Sequence, residues 1–227
     1  MKHKLAPAAA LLLALSLLLP PLASAAGGSS SSTPSTSMPP QDPRAMARDS
    51  YDRAIKYREK AAELEAKAAA ADSDAEREKL ENKARKEYER AIRTLSSAVE
   101  NDPELYEAHS DLGYALRKTG QYEESLAAYE RALELNPSYV PAIEYRGEAY
   151  LGLNRLEEAK GAYMELFRLD REQADALMTA MRHWVDSHEA APEGVDAETF
   201  EAFSSWVSER LDVVSQVGAG SSSGASW

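Results

Sequence analysis

Between Leu80 and Ala98 the apolar positions return every three or four residues: Leu80, Ala84, Tyr88, Ala91, Leu95 and Ala98. That spacing lines one face of an α-helix. A weaker version of the same rhythm runs through Tyr51, Ala54, Ile55, Ala61 and Leu64. Asp72-Ser73-Asp74 separates the two stretches, and Ser73 followed by Glu76 has the spacing of a capping box at the start of the second. The pattern therefore predicts a helical hairpin over residues 45–104, with arms of about 27 residues, each near 40 Å long. Further along, helical spacing carries Leu177, Met181 and Trp184 through the stretch from Glu172 to Glu189 and stops at Pro192-Glu193-Gly194. It resumes behind a capping Asp196, with Phe200, Phe203, Val207, Leu211 and Val214 on one face.

The middle of the chain repeats itself. At an offset of 34, Pro103 falls on Pro137, Gly113 on Gly147, Tyr88 on Tyr122 and Ala98 on Ala132. Asp102 falls on Asn136 and then Asp170, Ala91 on Ser125 and then Ala159, and Leu95 on Tyr129 and then Tyr163. A glycine in the middle of a helix costs about 1 kcal/mol against alanine, so Gly113 and Gly147 must gain something. A second helix crossing closely at that point is the natural gain, with the small residues Ala91, Ser125 and Ala159 on the opposite side. Asp102-Pro103 and Asn136-Pro137 end one helix and turn the chain into the next, and Gly120 sits in the turn inside a hairpin.

These residues resemble the tetratricopeptide repeat, whose pattern is W-x2-L-G-x2-Y, then A-x3-F, then P. Residues 106–139 carry His109, Leu112, Gly113, Leu116, Ser125, Tyr129, Ala132 and Pro137 at its positions, and residues 140–173 carry Ile143, Gly147, Tyr150, Ala159 and Tyr163. The second unit departs at Arg146, where leucine is expected, and at Arg171, where proline is expected. Upstream, Tyr88, Ala91, Leu95, Ala98 and Pro103 fit the second helix of a repeat whose first helix is irregular. The resemblance covers Tyr88 to Gln173. It implies an all-α, helical-hairpin solenoid with the extended hairpin at its N-terminal end. Two units fill 105–171, and a degenerate third repeat with a capping helix fills 172–217.

The ends of the chain read differently. Lys2 and Lys4 precede an Ala/Leu run from Leu5 to Leu19, then Pro20-Pro21 and Ala23-Ser24-Ala25. This is the plan of a secretory signal peptide, residues 1–25, and the apolar run is shorter than the roughly 20 residues of a spanning helix. The reading makes the protein exported, most simply periplasmic with extracellular as the other choice, and leaves no stable membrane insertion after cleavage. Residues 26–44 and 218–227 are rich in Ser, Gly and Pro or otherwise poor in apolar side chains, and read as a flexible linker and tail.

Charge and composition narrow the chemistry. The net charge of −12 argues against nucleic acid and anionic membranes as partners. The absence of cysteine removes disulfides, thiolate zinc sites, iron–sulfur clusters and a cysteine nucleophile. No phosphate loop, nucleophile elbow or zincin motif occurs, and His183 and His188, five apart on a helix, are a poor metal pair. The sequence thus points to no catalysis, no cofactor and no metal, and to a scaffold that binds a protein or peptide segment. In a stack of hairpins the first helix of each pair lines the inner surface. There the candidate partner-binding residues are Tyr114, Arg117, Lys118, Glu144, Tyr145, Glu148, Leu151 and Arg182. The resemblance also implies where a terminal carboxylate is clamped in chaperone-associated members, but those places hold Ser110, Tyr114, Glu144 and Glu148, so that ligand class does not carry over. Glu144 and Glu148, four apart on one helix, favour a basic ligand. The alternative from another class is a structural protein that self-associates through residues 45–100 as a short coiled coil.

If the leader is read correctly, the mature chain begins at Ala26. Intact mass of the exported protein checks this: a species retaining Met1 to Ala25 would make the protein membrane-anchored.

Overall fold

The computed structural model describes residues 42–190 and 194–222, with side chains through residue 211. The expected leader, most of the linker, Pro192-Glu193, Val214 and the last five residues of the tail lie outside these described residues or side chains. The described residues form helices without a strand.

The chain opens with α1 (Pro43–Ala69) and α2 (Asp74–Asn101). Asp42 accepts a hydrogen bond from the backbone N–H of Arg44 at 3.0 Å, and Pro43, with φ preset, takes the first helical position. The helix therefore begins two residues inside the stretch that composition assigned to the linker. Ser73 caps α2 by accepting from the backbone N–H of Glu76. Along α1 the buried positions Ala47, Ala54, Ala61 and Ala68 recur every seventh residue, and along α2 Ala84, Ala91 and Ala98 do the same. Seven residues are close to two turns, so each helix presents a seam of methyl groups. Two such seams let the helices lie close together, and Tyr88 and Leu95 fill the space beside them.

Two shorter hairpins follow: α3 (Tyr106–Lys118) with α4 (Tyr122–Leu135), and α5 (Val140–Gly152) with α6 (Leu156–Leu169). Their inner turns are copies. Gly120 has φ +83° and Asn154, 34 residues later, has φ +57°. In both, the residue after the left-handed position donates to a carbonyl five residues back, Gln121 to Leu116 at 2.9 Å and Arg155 to Tyr150 at 2.8 Å. This closes the helix end as a Schellman motif. Arg146, the departure from the repeat pattern, pairs with Glu165 on the facing helix at 3.1 Å, so an ion pair stands where apolar contact is usual.

The other departure has a structural outcome as well. Asp102 and Asn136 end α2 and α4, and each is followed by a proline turn before the next helix. Asp170 ends α6 and at once caps α7 (Arg171–His188), accepting from the backbone N–H of Gln173. With no proline at 171, the chain enters α7 without a linker. Leu177 and Trp184 are both buried, and the indole N–H of Trp184 donates to Asn154. Finally α8 (Ala197–Ser222) starts behind Asp196 and lays Phe203 and Val207 over the end of the stack. It continues to Ser222, past the point where composition placed the tail, because each added residue of a formed helix gains a backbone hydrogen bond.

The mid-helix glycines are explained by side chains rather than by backbone crossings. A Cβ at Gly113 would lie 2.6 Å from the Tyr129 ring of the partner helix. A Cβ at Gly147 would lie 2.5 Å from Leu177 and 3.2 Å from the Cβ of Ala162. Ala91, Ser125 and Ala159 are fully buried, but what fills the glycine clearances is large. Gly147→Leu is expected to destabilise the fold by about 1–3 kcal/mol through overpacking, measured by thermal or urea unfolding. An unchanged transition would contradict this packing.

Candidate functional site

The first helices of the hairpins form one face: α1 docks on α3, α3 on α5, and α5 on α7. The α1–α3 contact is set by matched pairs. Arg58 forms an ion pair with Asp111, and the Tyr51 hydroxyl donates to the other oxygen of the same carboxylate at 2.9 Å. One heptad further, Lys118 pairs with Glu65 at 2.8 Å, and Glu65 also accepts from the Tyr88 hydroxyl at 3.0 Å. Asp111 is buried, and burial raises its pKa while Arg58 opposes that rise. The Tyr51 and Tyr88 hydroxyls are pushed above the ordinary tyrosine range, first by burial and then by their neighbours. Both ion pairs join residues 53 apart, whereas Tyr114–Tyr145 and Arg117–Glu148 join residues 31 apart. The first unit is thus a repeat in which 22 additional residues separate the docked positions, which is why its first helix does not sit where the 34-residue period would put it.

Between α3 and α5 the aromatic residues form a ladder. Tyr88 and Tyr114 meet edge to face at 6.0 Å between centroids, and Tyr114 and Tyr145 at 5.0 Å. The Arg117 guanidinium lies 5.3 Å from the Tyr114 centroid and 5.5 Å from that of Tyr145, and it pairs with Glu148 at 2.6 Å. Cation–π contact and the ion pair together fix a side chain that is only 12% exposed. Tyr114, Arg117, Tyr145 and Glu148 are therefore one cluster, as the sequence suggested, with half-buried rings facing outward.

The remaining candidates separate. Lys118 belongs to the contact with the long hairpin. Leu151 is buried in the core. Arg182 lies apart, exposed on α7. Glu148 is not a free carboxylate for a ligand, because Arg117 already holds it; reversing its charge would strand a largely enclosed guanidinium, so the fold would not be left intact. Glu144 behaves differently. It is buried, with 8% of its surface exposed, and makes no hydrogen bond or ion pair. Burial, then Glu148 and more weakly Asp170, push its carboxyl up to about 7 against a smaller opposing effect of Arg117. Alongside, an open cleft of about 370 Å³ is lined by Arg117, Glu148, Leu151, Ala180, His183 and Ser187. Tyr51, Arg58 and Glu65 were not among the sequence candidates; their seven-residue spacing along α1 is the signal that places them together. His109, at the first position of the repeat pattern, is half-buried, its Nε2 3.1 Å from the Pro103 carbonyl.

This is the architecture of a helical-repeat solenoid, with its first helices on one face. Two family models described as tetratricopeptide repeat match the chain, one over residues 106–139 and one over residues 146–173. They fall on α3–α4 and on α5–α6 with the start of α7, so the chain carries two tetratricopeptide repeats over these residues. It is similar to the 131 kDa subunit of transcription factor tau of Saccharomyces cerevisiae, 27% identical over 49% of this chain and 11% of that one. It is similar to a UDP-N-acetylglucosamine–peptide N-acetylglucosaminyltransferase of Giardia intestinalis, 33% identical over 38% of this chain and 6% of that one. An Hsp70-Hsp90 organising protein of Plasmodium falciparum is 30% identical over 37% of this chain and 33% of its own length. The chain spans a third or less of each of these relatives. Among solved structures, the second TPR domain of human RPAP3 in complex with an HSP70 peptide superposes with a TM-score of 0.47 at 22% identity, over 60% of this chain and 95% of that one.

The environment of Glu144 sets a pH dependence. Its carboxyl holds a proton more tightly when folded, at about 7, than at the ordinary 4.5. Its contribution to stability is therefore full below about pH 4.5 and is lost as the pH rises through about 7. Urea unfolding across this range should show the native chain losing stability relative to Glu144→Gln as pH rises. Parallel curves would contradict the assignment.

Proposed function

We propose that this protein is an exported scaffold that holds a segment of another protein against the face built by α1, α3, α5 and α7. The observation that carries the reading is the ladder of Tyr114 and Tyr145 around the Arg117–Glu148 pair. Half-buried rings held by edge-to-face contact and a cation offer large contact area at small entropic cost, since ordering is already complete before a partner arrives. The acidic balance of the chain, −12 overall, favours a basic segment and speeds its approach. Export rests on the leader-like residues Leu5 to Leu19 and Ala23-Ser24-Ala25, and makes the periplasm the first place to look, in envelope, pilus or secretion assembly.

The competing reading, self-association through residues 45–100, has less to work with. The apolar seams of α1 and α2 face each other, and Tyr51, Arg58 and Glu65 are engaged with α3 or α2. A second copy would have to pair through exposed charged positions.

A photo-crosslinking side chain placed at His183 in the cleft, at Glu130 on the outside of α4 and at Lys79 on the long hairpin separates the readings. All three positions are exposed. Partner adducts from the His183 position alone are expected. Adducts from the Lys79 position alone, at the mass of a dimer, would replace the scaffold reading with self-association.

A further inference from the structure

Several charged side chains that the first helices turn toward their neighbours on this face are matched. Arg58 has Asp111, Lys118 has Glu65, and Arg117 has Glu148. Glu144, more deeply buried than the likewise unpaired Glu107, has no such partner among the described residues. More than nine-tenths of its surface is buried, yet no donor or cation reaches it. Its oxygens are not among the sealed, unpartnered polar atoms of the structure, which are Arg117 Nε, Tyr129 Oη and Arg146 Nε. The carboxylate is thus largely enclosed by the fold but not sealed from solvent. A buried carboxylate without a partner is costly, and chains retain buried polar groups where something satisfies them.

The charged groups that act on it leave no internal solution. On its own helix stands Glu148, which repels it, and Tyr145, whose hydroxyl it pushes up. From the start of α7 comes Asp170, also repulsive. From α3 comes Arg117, attractive, but committed to Glu148 at 2.6 Å and fixed between two rings. Swinging Arg117 to Glu144 would free one carboxylate only by abandoning another. What is missing is one additional positive charge.

We propose that Glu144 is a socket for a single arginine or lysine side chain of the bound protein segment, its carboxylate accepting a charge-assisted hydrogen bond from the guanidinium or ammonium group. This rests on the reading of the inner face as the binding surface, and it adds a defined contact to it: one cation at one position, not diffuse attraction to an acidic surface. A side chain arriving here gains the full interaction in an enclosed site, and relieves the repulsion between Glu144 and Glu148. It also makes binding depend on pH. Below about pH 7 the socket holds a proton in place of a cation; above it the carboxylate is free to accept one. Binding is thus strengthened as pH rises through that value.

The test uses the full chain and two capped tripeptides, Ac-Gly-Arg-Gly-NH2 and its neutral analogue with citrulline in place of arginine. The carboxyl carbon resonances of labelled glutamate residues are followed by NMR, with Glu144 assigned by its loss in Glu144→Gln. A His183→Gln background removes the imidazole that lines the neighbouring cleft. At tens of millimolar, the arginine peptide is expected to move the Glu144 midpoint downward and the citrulline peptide to leave it in place. Glu144→Gln should weaken the arginine peptide at least about tenfold, abolish the rise in affinity between pH 6 and 8, and leave thermal stability at pH 7 equal or higher. An arginine peptide that leaves the midpoint unmoved, or binds Glu144→Gln equally well, overturns the socket. Failure of the wider reading shows separately: adducts from the His183 position that survive Glu144→Gln at full yield keep the binding face and remove the socket. Adducts from the Lys79 position alone remove the face, while the peptide titration still decides whether Glu144 accepts a cation.

Discussion

Tyr129 occupies the space that a side chain at position 113 would need, and Leu177 does the same at position 147. The stack depends on this exchange of volume. A helix gives up its own side chain so that a large one from a neighbour can reach its backbone, and dispersion contacts with that backbone replace the propensity lost at glycine. The long hairpin uses a milder form: alanine every seventh residue on both arms allows close approach without giving up helix propensity. With the helices brought this near, the rings of Tyr88, Tyr114 and Tyr145 meet edge to face, and Arg117 lies against the last two. The arrangement of the inner face follows from where side chains are absent.

This accounts for what could be read from the sequence. The 34-residue period, Gly113 and Gly147, the turn at Gly120 and the caps at Ser73 and Asp196 are local signals, and local geometry obeys them. The hairpin's first helix escaped the period because 22 added residues lie between its docked part and the positions it meets on α3. The spacing of Tyr51, Arg58 and Glu65 could be seen, but without knowing that α1 lies beside α3 there was no reason to set it against Asp111 and Lys118. Glu144 and Glu148 illustrate the limit of spacing arguments more sharply. Four apart on one helix, they look equivalent. Arg117 can serve only one of them, and the choice between them is made by a helix 31 residues upstream.

As a scaffold, the molecule combines two kinds of surface on one face. Three ion pairs, Arg58–Asp111, Glu65–Lys118 and Arg117–Glu148, fix the register of its helices. In the proposed scaffold, recognition is left to the half-buried tyrosines, which are tolerant, and to a small number of unpaired groups, which are selective. Such a division lets one rigid face hold related segments while rejecting those that lack the right group at the right place.

The additional residues of the first unit have a mechanical meaning. Glu65, which meets Lys118 at the end of α3, is followed by four further residues of α1, so the hairpin runs about one turn, roughly 6 Å, past the end of α3. Over most of that length α2 is exposed, and α1 is covered only by α2. The overhang's base is held by the salt bridges at Asp111 and Lys118 and by the apolar cluster that joins Ala84, Tyr88 and Leu95 to Leu105, Ala108 and Ala115. A sideways pull at the turn near Ser73 is therefore shared between charge and packing at this first interface before it reaches the later repeats.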